Sequence, residues 1–178
     1  MFSRKVRGEL EGNIEYFKGF ALSPSIAWGR HNIKAGFKPI YSYYMDRRQP
    51  PKEKSYYTHG APPFGADTPH AAELAYIFGT LERIDDRFTA YDHELAEIMR
   101  TYWTNFAKTG DPNKAGSDIA SPKKMLPFWP QFAEDSELTM HFGDTDVKAE
   151  DLVTNKDIER VIAFCEKTPG MLCSLEGF

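Results

Sequence analysis

Long apolar runs are missing from this sequence, and so is a strong net charge. No stretch approaches the roughly 20 apolar residues that a membrane-spanning helix needs, so no membrane span is predicted. The residues that follow Met1 are mixed and basic, without an apolar core, so no signal peptide is predicted. The formal net charge of −4 provides no electrostatic attraction for a nucleic acid or an anionic membrane, and neither is expected as a partner.

Cysteine and histidine are also scarce. The spacing of the two cysteines, Cys165 and Cys173, is equally compatible with a disulfide and with two reduced thiols, which leaves the cellular compartment open. His59 and His70 have no third ligand at a recognised spacing, so no metal site is predicted.

The composition is that of an ordinary globular chain. Of the 178 residues, 41% are hydrophobic and 27% are charged, and one domain is the natural expectation at this length. Capping signals and apolar spacing predict four helices: from Ser23, as N-cap, to about Ala35, ended by Gly36; around Leu74 to Leu81; from Asp92 to Lys108, ended by Gly110; and from about Thr154 to Cys165. The second helix has an apolar face of Leu74, Ile77, Phe78 and Leu81, and the third has an apolar stripe of Leu95, Ile98, Met99, Tyr102 and Phe106.

Only two strands are predicted. Residues 39–45 are nearly all aromatic or apolar, which indicates a buried strand. Residues 137–142 alternate, which indicates a half-exposed strand with Leu138, Met140 and Phe142 on its buried face. Two strands so far apart in the chain, without a short hairpin between them, cannot form a complete sheet. The sequence therefore predicts part of a layered α/β domain whose other strands are missing.

One histidine stands out by its position. His70 lies where a long loop, residues 47–69, enters a helix, and loop positions held by a rigid scaffold are where catalytic side chains concentrate. A neutral imidazole there could act as a general base, because its unperturbed pKa is about 6.5. The structural alternative is a histidine that caps the helix or lies in solvent.

Four sequence blocks, of which the first begins at His70, form a wider pattern. The run from His70 to Gly79 is His-x-x-Glu-Leu-x-Tyr-x-Phe-Gly; residues 103–113 are Trp-x-Asn-Phe-Ala-x-x-Gly-x-Pro-Asn; residues 128–132 are Phe-Trp-Pro-Gln-Phe; and residues 39–43 are Pro-Ile-Tyr-Ser-Tyr. In their order along the chain and in their spacing, the blocks resemble the type-B carboxylesterases. This is the family of the bacterial para-nitrobenzyl esterases and animal cholinesterases. The resemblance is clearest over residues 13–145, and residues 1–178 are interpreted as the C-terminal segment of one such domain.

The resemblance implies an α/β-hydrolase fold. This chain would hold its last strands and helices and would be incomplete as a standalone domain. The catalytic order along such chains is Ser, then Asp or Glu, then His, so His70 matches the last member. By that resemblance His70 would take the proton from the serine and return it to the leaving alcohol. An acyl-enzyme would form, without a metal or an organic cofactor.

The remaining parts of that machinery are absent from the sequence. No serine lies in a Gly-x-Ser-x-Gly elbow, and none of Glu9, Glu11 and Glu15 lies in a motif that matches the family's acid. The glycine-rich segment that supplies oxyanion-hole amides is absent as well. Substrate turnover would therefore need the missing N-terminal part of the same fold as a partner.

Residues around the histidine also differ from the family or are interpreted as structural. The family commonly has Gly-Ala one residue before its histidine, whereas here residues 67–69 separate Gly65 and Ala66 from His70. Glu73 is interpreted as a first-turn residue that interacts favourably with the helix dipole.

Aromatic residues of the later blocks are interpreted in the same way. Trp103, Phe106 and Trp129 are predicted to be core residues rather than a substrate cage.

Three functions remain in view. The first is a carboxylic ester hydrolase that acts on a small-molecule ester and takes its histidine from this chain. The second is a non-catalytic binding or adhesion relative, or an inactive fragment. The third is a standalone interaction domain. An isolated piece of a sheet domain is expected to expose apolar faces, and therefore to aggregate, oligomerise or bind dye.

Overall fold

The computed structural model describes residues 22–48, 68, 71–84, 88–115, 126–153, 159–160, 162–163 and 167. Its regular elements are helix α1 over residues 22–34, strand β1 (Tyr43–Met45), helices α2 (Glu73–Ile77), α3 (Leu81–Ile84) and α4 (Ala90–Thr109), and strands β2 (Thr139–Phe142) and β3 (Val147–Glu150). His59, His70, Cys165, Cys173 and the predicted start of the last helix lie outside the described residues.

The strands form one sheet in the order β1-β2-β3. Residues 143–146 join β2 to β3, and a connection this short links only antiparallel neighbours. The two predicted strands thus pair with each other, as β1 and β2, and β3 adds a hairpin that was not predicted. Strand β3, with the sequence Val-Lys-Ala-Glu, does alternate between apolar and polar residues, but over four residues only, and it was not predicted.

The chain divides into two compact units. Unit 1 consists of Met1–Tyr44, Pro130–Thr139 and Glu150–Phe178, and unit 2 of Met45–Trp129 and Met140–Ala149. The core of unit 1 is a cluster of buried apolar side chains. Its members are Leu22, Ile26, Ala27, Phe132 and Ile162, with Ile33, Ile40, Tyr44, Leu152 and Val153 packed around them.

Helix α1 begins earlier than predicted. Leu22 is already helical and buried, so Ser23 lies inside the helix and the prediction that it is the N-cap was wrong. The apolar Leu22 extends the helix because its side chain packs into the unit 1 core. The predicted end is confirmed, since helical residues stop at 34 and Gly36 follows.

Strand β1 is shorter and more exposed than predicted. Only Tyr43–Met45 of the predicted residues 39–45 pair as a strand, and none of these three residues is fully buried. Its position at the edge of the β1-β2-β3 order explains this, because an edge strand has a neighbour on one side only.

Strand β2 departs from the predicted alternation in the opposite direction. Met140 and Phe142 are buried as expected, but Thr139 on the other face is also fully buried. Its hydroxyl group donates a 3.1 Å hydrogen bond to the Ser42 hydroxyl, which satisfies the polar atom inside the protein.

The helix predicted around Leu74 to Leu81 is two short helices. Gly79 adopts a φ of 62°, a left-handed conformation that ends α2 and sets a new direction for α3. Of the predicted apolar face, Leu81 is buried and Ile77 is half-buried, but the prediction is wrong for the other two residues. The exposed fractions of Leu74 and Phe78 are 47% and 70%, whereas Ala75 and Tyr76 are buried.

Helix α4 confirms its prediction most closely. It begins after Thr89 and ends at Gly110, whose φ of 74° forms the C-cap. Four of the five predicted stripe residues are buried, namely Leu95, Ile98, Met99 and Tyr102. The fifth, Phe106, is 46% exposed, so its assignment to the core was wrong.

An aromatic cluster packs against α4 within unit 2. Its members are Tyr102, Trp103, Trp129 and Phe142, with ring centroids 5.1–6.2 Å apart. The contact confirms Trp129 as a core residue, since it is 4% exposed.

We expect the exposed ring of Phe78 to contribute to dye binding rather than to stability. Phe78→Ser should lower the fluorescence of a bound naphthalene-sulfonate dye and change the free energy of unfolding by no more than about 0.5 kcal/mol. Leu95→Ala, at a fully buried position, should cost about 2–5 kcal/mol. Urea unfolding of both variants measures the difference. Equal losses would show that Phe78 is a core residue.

Candidate functional site

The described residues reach the predicted catalytic histidine from both sides. His70 itself lies outside them, but Thr68 precedes it by two positions and Ala71 follows it directly. The Thr68 hydroxyl group donates a 2.8 Å hydrogen bond to the backbone carbonyl of Arg47. Both flanks of the histidine-bearing segment, residues 68–77, can therefore be placed relative to unit 2.

Ala71 has an unusual backbone conformation. Its φ is 63°, in the left-handed region that residues with a Cβ rarely adopt. Its carbonyl accepts a 3.3 Å hydrogen bond from the amide of Leu74, and the next residue, Ala72, is 6% exposed. Strain of this kind clusters at functional sites, so a strained residue directly after His70 supports a functional interpretation of the segment.

A buried carboxylate lies at the centre of the site. Asp92 is 0% exposed and accepts hydrogen bonds from three residues. Arg47 donates from Nε to Oδ1 at 2.8 Å and from Nη2 to Oδ2 at 3.0 Å. Tyr76 donates from its hydroxyl group to Oδ1 at 2.8 Å. Thr89 donates from its backbone amide and its hydroxyl group to Oδ2 at 2.7 and 2.6 Å. The charge is thus paired and fully hydrogen-bonded.

The local sequence explains how α4 holds this carboxylate. Thr89 is the N-cap and Asp92 the third helical residue, and the two form a reciprocal capping box. Because the positive end of the helix dipole lies there, the carboxylate is stabilised further. The spacing Thr-x-x-Asp before an apolar stripe is the sequence signal for this box, although the helix was predicted to begin only at Asp92.

Arg47 links the carboxylate to the turn between β2 and β3. Its Nη1 atom lies 3.4 Å from Asp144 Oδ1, and its guanidinium carbon lies 5.2 Å from the centroid of the Tyr91 ring. The Arg48 amide also donates to Asp144, at 2.9 Å, and the Tyr91 hydroxyl donates to the Gly143 carbonyl at 3.0 Å. The guanidinium group is thereby held on several sides.

These contacts shift the ionisation of each partner. Burial by itself raises the pKa of Asp92, but the hydrogen bonds from Arg47, Thr89 and Tyr76 outweigh it and hold the pKa well below its ordinary value. The hydrogen bond with Asp92 raises the pKa of Arg47. Burial and the same carboxylate raise the pKa of Tyr76, and burial raises that of Tyr91 to about 12. Both tyrosines are therefore neutral donors at physiological pH.

A second polar pair lies at the end of β1. His141 Nε2 is 2.6 Å from Asp46 Oδ1, and both side chains are partly buried. Neither this pair nor the pairing of Arg47 with Asp92 was foreseen, because the partners lie 95 and 45 positions apart. No short-range pattern connects residues at such distances.

Other predicted site residues have structural positions. Glu73 is the first residue of α2, as its interpretation as a first-turn residue requires. Among the residues described, no group of three or more potential ligands could hold a metal ion. Within the same part of the chain, no helix is both long and apolar enough to cross a bilayer.

Comparison with known proteins gives a consistent assignment. The carboxylesterase family model matches residues 14–161. Human bile salt-activated lipase is 30% identical over 129 residues, which cover 72% of this chain and 16% of the lipase. Human neuroligin-2 is 38% identical over 103 residues, which cover 52% of this chain and 11% of the neuroligin. The structure of a thermophilic PNB esterase matches 71% of this chain and 22% of its own, with a TM-score of 0.50 and 22% identity.

The fold and the matched residues define part of an α/β hydrolase, as predicted. The chain belongs to the carboxylesterase family, which confirms the resemblance drawn from its sequence blocks. It spans only a small part of its curated relatives, 16% in the case of the human lipase.

We expect Asp92→Asn to destabilise the protein in a pH-dependent way. The native pKa of Asp92 is lowered, so its stabilising contribution is present above the ordinary pKa of about 3.9 and is lost as pH falls below it. At pH 7 the loss should be about 3 kcal/mol or more, because a buried guanidinium would lose its charge partner. Urea unfolding at pH 7, 5 and 3 should show the gap between variant and parent narrowing at pH 3.

A matched control is available in unit 1. Glu137 pairs with Arg30 through two hydrogen bonds of 2.5 and 2.7 Å, but its side chain is 24% exposed. Glu137→Gln should therefore cost less than Asp92→Asn at pH 7. A loss for Asp92→Asn that stays constant down to pH 3 would contradict the assignment of a lowered pKa.

Ala71→Gly is expected not to destabilise the protein. The left-handed conformation costs an alanine about 1–2 kcal/mol, while the extra chain entropy of glycine offsets about 0.5–1 kcal/mol of that gain. A net stabilisation of up to about 1 kcal/mol should follow, measured by urea unfolding. Ala75→Gly, at a buried helical position, should instead be destabilising by at least about 0.5 kcal/mol. A destabilised Ala71→Gly variant would argue against the strained backbone.

Proposed function

We propose that the protein to which this chain contributes hydrolyses carboxylic esters, with His70 as the general base. The observation that carries the proposal is the family match over residues 14–161, which includes the histidine motif from His70 to Gly79. The names of two similar proteins, a bile salt-activated lipase and a PNB esterase, support an ester as the substrate class.

In the proposed reaction the imidazole of His70 moves one proton twice. It takes the proton of a serine hydroxyl as the serine oxygen attacks the ester carbonyl carbon. It then gives that proton to the alcohol oxygen as the bond between the carbonyl carbon and this oxygen breaks, which leaves an acyl-enzyme. Water repeats the sequence and releases the carboxylic acid. A pKa near neutrality lets one imidazole serve as base and acid in turn.

The serine, its acidic partner and the oxyanion-hole amides are proposed to come from the rest of the same domain. No serine among the 178 residues has the Gly-x-Ser-x-Gly context. The match to 16% of the human lipase and 22% of the PNB esterase chain supports a larger parent domain. The proposed partner of this chain is therefore the segment that precedes it in such relatives.

A second candidate is a non-catalytic binding protein with the same fold. The match to human neuroligin-2, 38% identical over 103 residues, is the observation that keeps it in view. The histidine at position 70 favours the hydrolase. The residue at the nucleophile position discriminates the two, because a binding protein has no need of a serine there.

The test is to sequence the coding DNA upstream of Met1 and to express any in-frame extension with residues 1–178. We expect the extended protein to release para-nitrophenolate from para-nitrophenyl acetate. His70→Ala should lower the rate by at least about 10³-fold, because the general base is lost. His31→Ala, at an exposed position on α1, should leave the rate unchanged.

Two results would refute the proposal. One is a stop codon directly upstream without a companion reading frame, which would leave the chain without a nucleophile. The other is equal activity of the His70→Ala variant and its parent, which would remove His70 from the mechanism. An upstream elbow with glycine or alanine in place of serine would support the binding protein.

A further inference from the structure

We infer that the ion pair between Arg47 and Asp92 is a positioning device that holds both flanks of the segment carrying His70. The inference rests on the proposed function, which makes His70 the catalytic base. It concerns residues that do not react, since Arg47 and Asp92 act through Thr68 and Tyr76.

The upstream flank is held through the backbone of Arg47. The Thr68 hydroxyl group donates to the Arg47 carbonyl at 2.8 Å. The side chain of the same residue is anchored by the two hydrogen bonds to Asp92 and by the contact with Asp144. Charge-assisted, bidentate pairs of this kind are stronger and more directional than neutral hydrogen bonds. Thr68 is thus bonded to a residue whose side chain is itself fixed by an ion pair.

The downstream flank is held by the carboxylate itself. Tyr76 lies on α2 and is 0% exposed, and its hydroxyl group donates to Asp92 Oδ1 at 2.8 Å. Its ring packs edge-on against Phe88 with centroids 6.0 Å apart. The Tyr76 hydroxyl and Arg47 Nε thus share one carboxylate oxygen.

The two flanks are therefore held by one charged pair. Thr68 and Tyr76 bracket His70 in the chain, and each is bonded to one member of the pair. The hydrogen bond from Tyr76 to Asp92 is buried and those of Arg47 and Thr68 are partly buried, so low local polarity strengthens them. Catalysis requires such precision, because a displacement of about 1 Å can cost about 100-fold in rate.

The competing explanation is that the pair only caps α4 and stabilises unit 2. Asp92 does take part in the capping box, so its own replacement cannot separate the two roles. Two other variants can separate the two roles, because each removes only one hydroxyl group that bonds to the pair. Thr68→Val removes the upstream tether, and Tyr76→Phe removes the downstream tether, while Arg47, Asp92 and the capping box remain.

Each tether variant has a matched control on α4. The Thr101 hydroxyl donates to the Glu97 carbonyl at 2.7 Å, and the buried Tyr102 hydroxyl donates to the Pro127 carbonyl. Thr101→Val and Tyr102→Phe thus remove the same chemical groups from hydrogen bonds that do not flank His70. Urea unfolding of all four variants shows whether their losses of stability are comparable.

The experiment is hydrogen–deuterium exchange of the full 178-residue chain, read by mass spectrometry. Backbone amides in peptides that cover residues 68–77 should exchange about tenfold faster in Thr68→Val and Tyr76→Phe. The rate at which the imidazole C2 hydrogen of His70 exchanges, measured as a function of pH, should change in the same two variants. Neither signal should change in Thr101→Val or Tyr102→Phe, and His31 serves as the internal reference.

The outcomes separate this inference from the proposed function. Unchanged exchange at residues 68–77 and at His70 in both tether variants would overturn the inference, as would equal changes in the controls. A positive result needs no esterase activity. If the exchange changes are found but His70→Ala leaves ester hydrolysis intact, the tether exists and the proposed catalytic role of His70 fails.

Discussion

The buried carboxylate of Asp92 is the constraint on which the described part of unit 2 depends. It is fully enclosed, yet every donor it needs is supplied by Arg47, Tyr76 and Thr89. These three residues come from the end of β1, from α2 and from the cap of α4. An isolated charge would be too costly to bury, so the carboxylate is stable only when all three elements are in place. The ion pair thus couples elements that are distant in the chain.

The other sequence blocks shared with the family have a structural role in this chain. Asn105 donates to the Pro112 carbonyl at 2.9 Å, which fixes the turn after α4. The amide group of Asn113 both donates to the Trp129 carbonyl at 2.8 Å and accepts from the Trp129 amide at 2.7 Å. These bonds attach the segment of Trp129 to the end of α4 and support the aromatic cluster. The histidine block differs, since it combines a strained Ala71 with the tethered Tyr76.

Predictions from sequence succeeded where short-range physics decides the structure. The apolar stripe of α4 and the glycine stop at Gly110 are encoded within one helix, and both were correct except for the exposed Phe106. Predictions failed where burial depends on distant partners. Strand β1 is only partly buried because it lies at a sheet edge. Helix α2 buries Tyr76, whose hydroxyl group bonds to Asp92, and leaves Leu74 and Phe78 exposed. Strand β3 was missed because its alternation covers four residues only and none of them is fully buried.

The sequence by itself determined the family, the incomplete α/β character of the chain and the choice of His70 as candidate base. Those features depend on residue order and on spacing within short blocks, which survive without knowledge of contacts. Only the tertiary structure decided that Arg47 meets Asp92, that Tyr76 joins them and that Thr68 bonds to the Arg47 backbone. The reason is physical. Charge pairing and hydrogen bonding act over a few ångströms in space, and partners 45 positions apart leave no periodic signature along the chain.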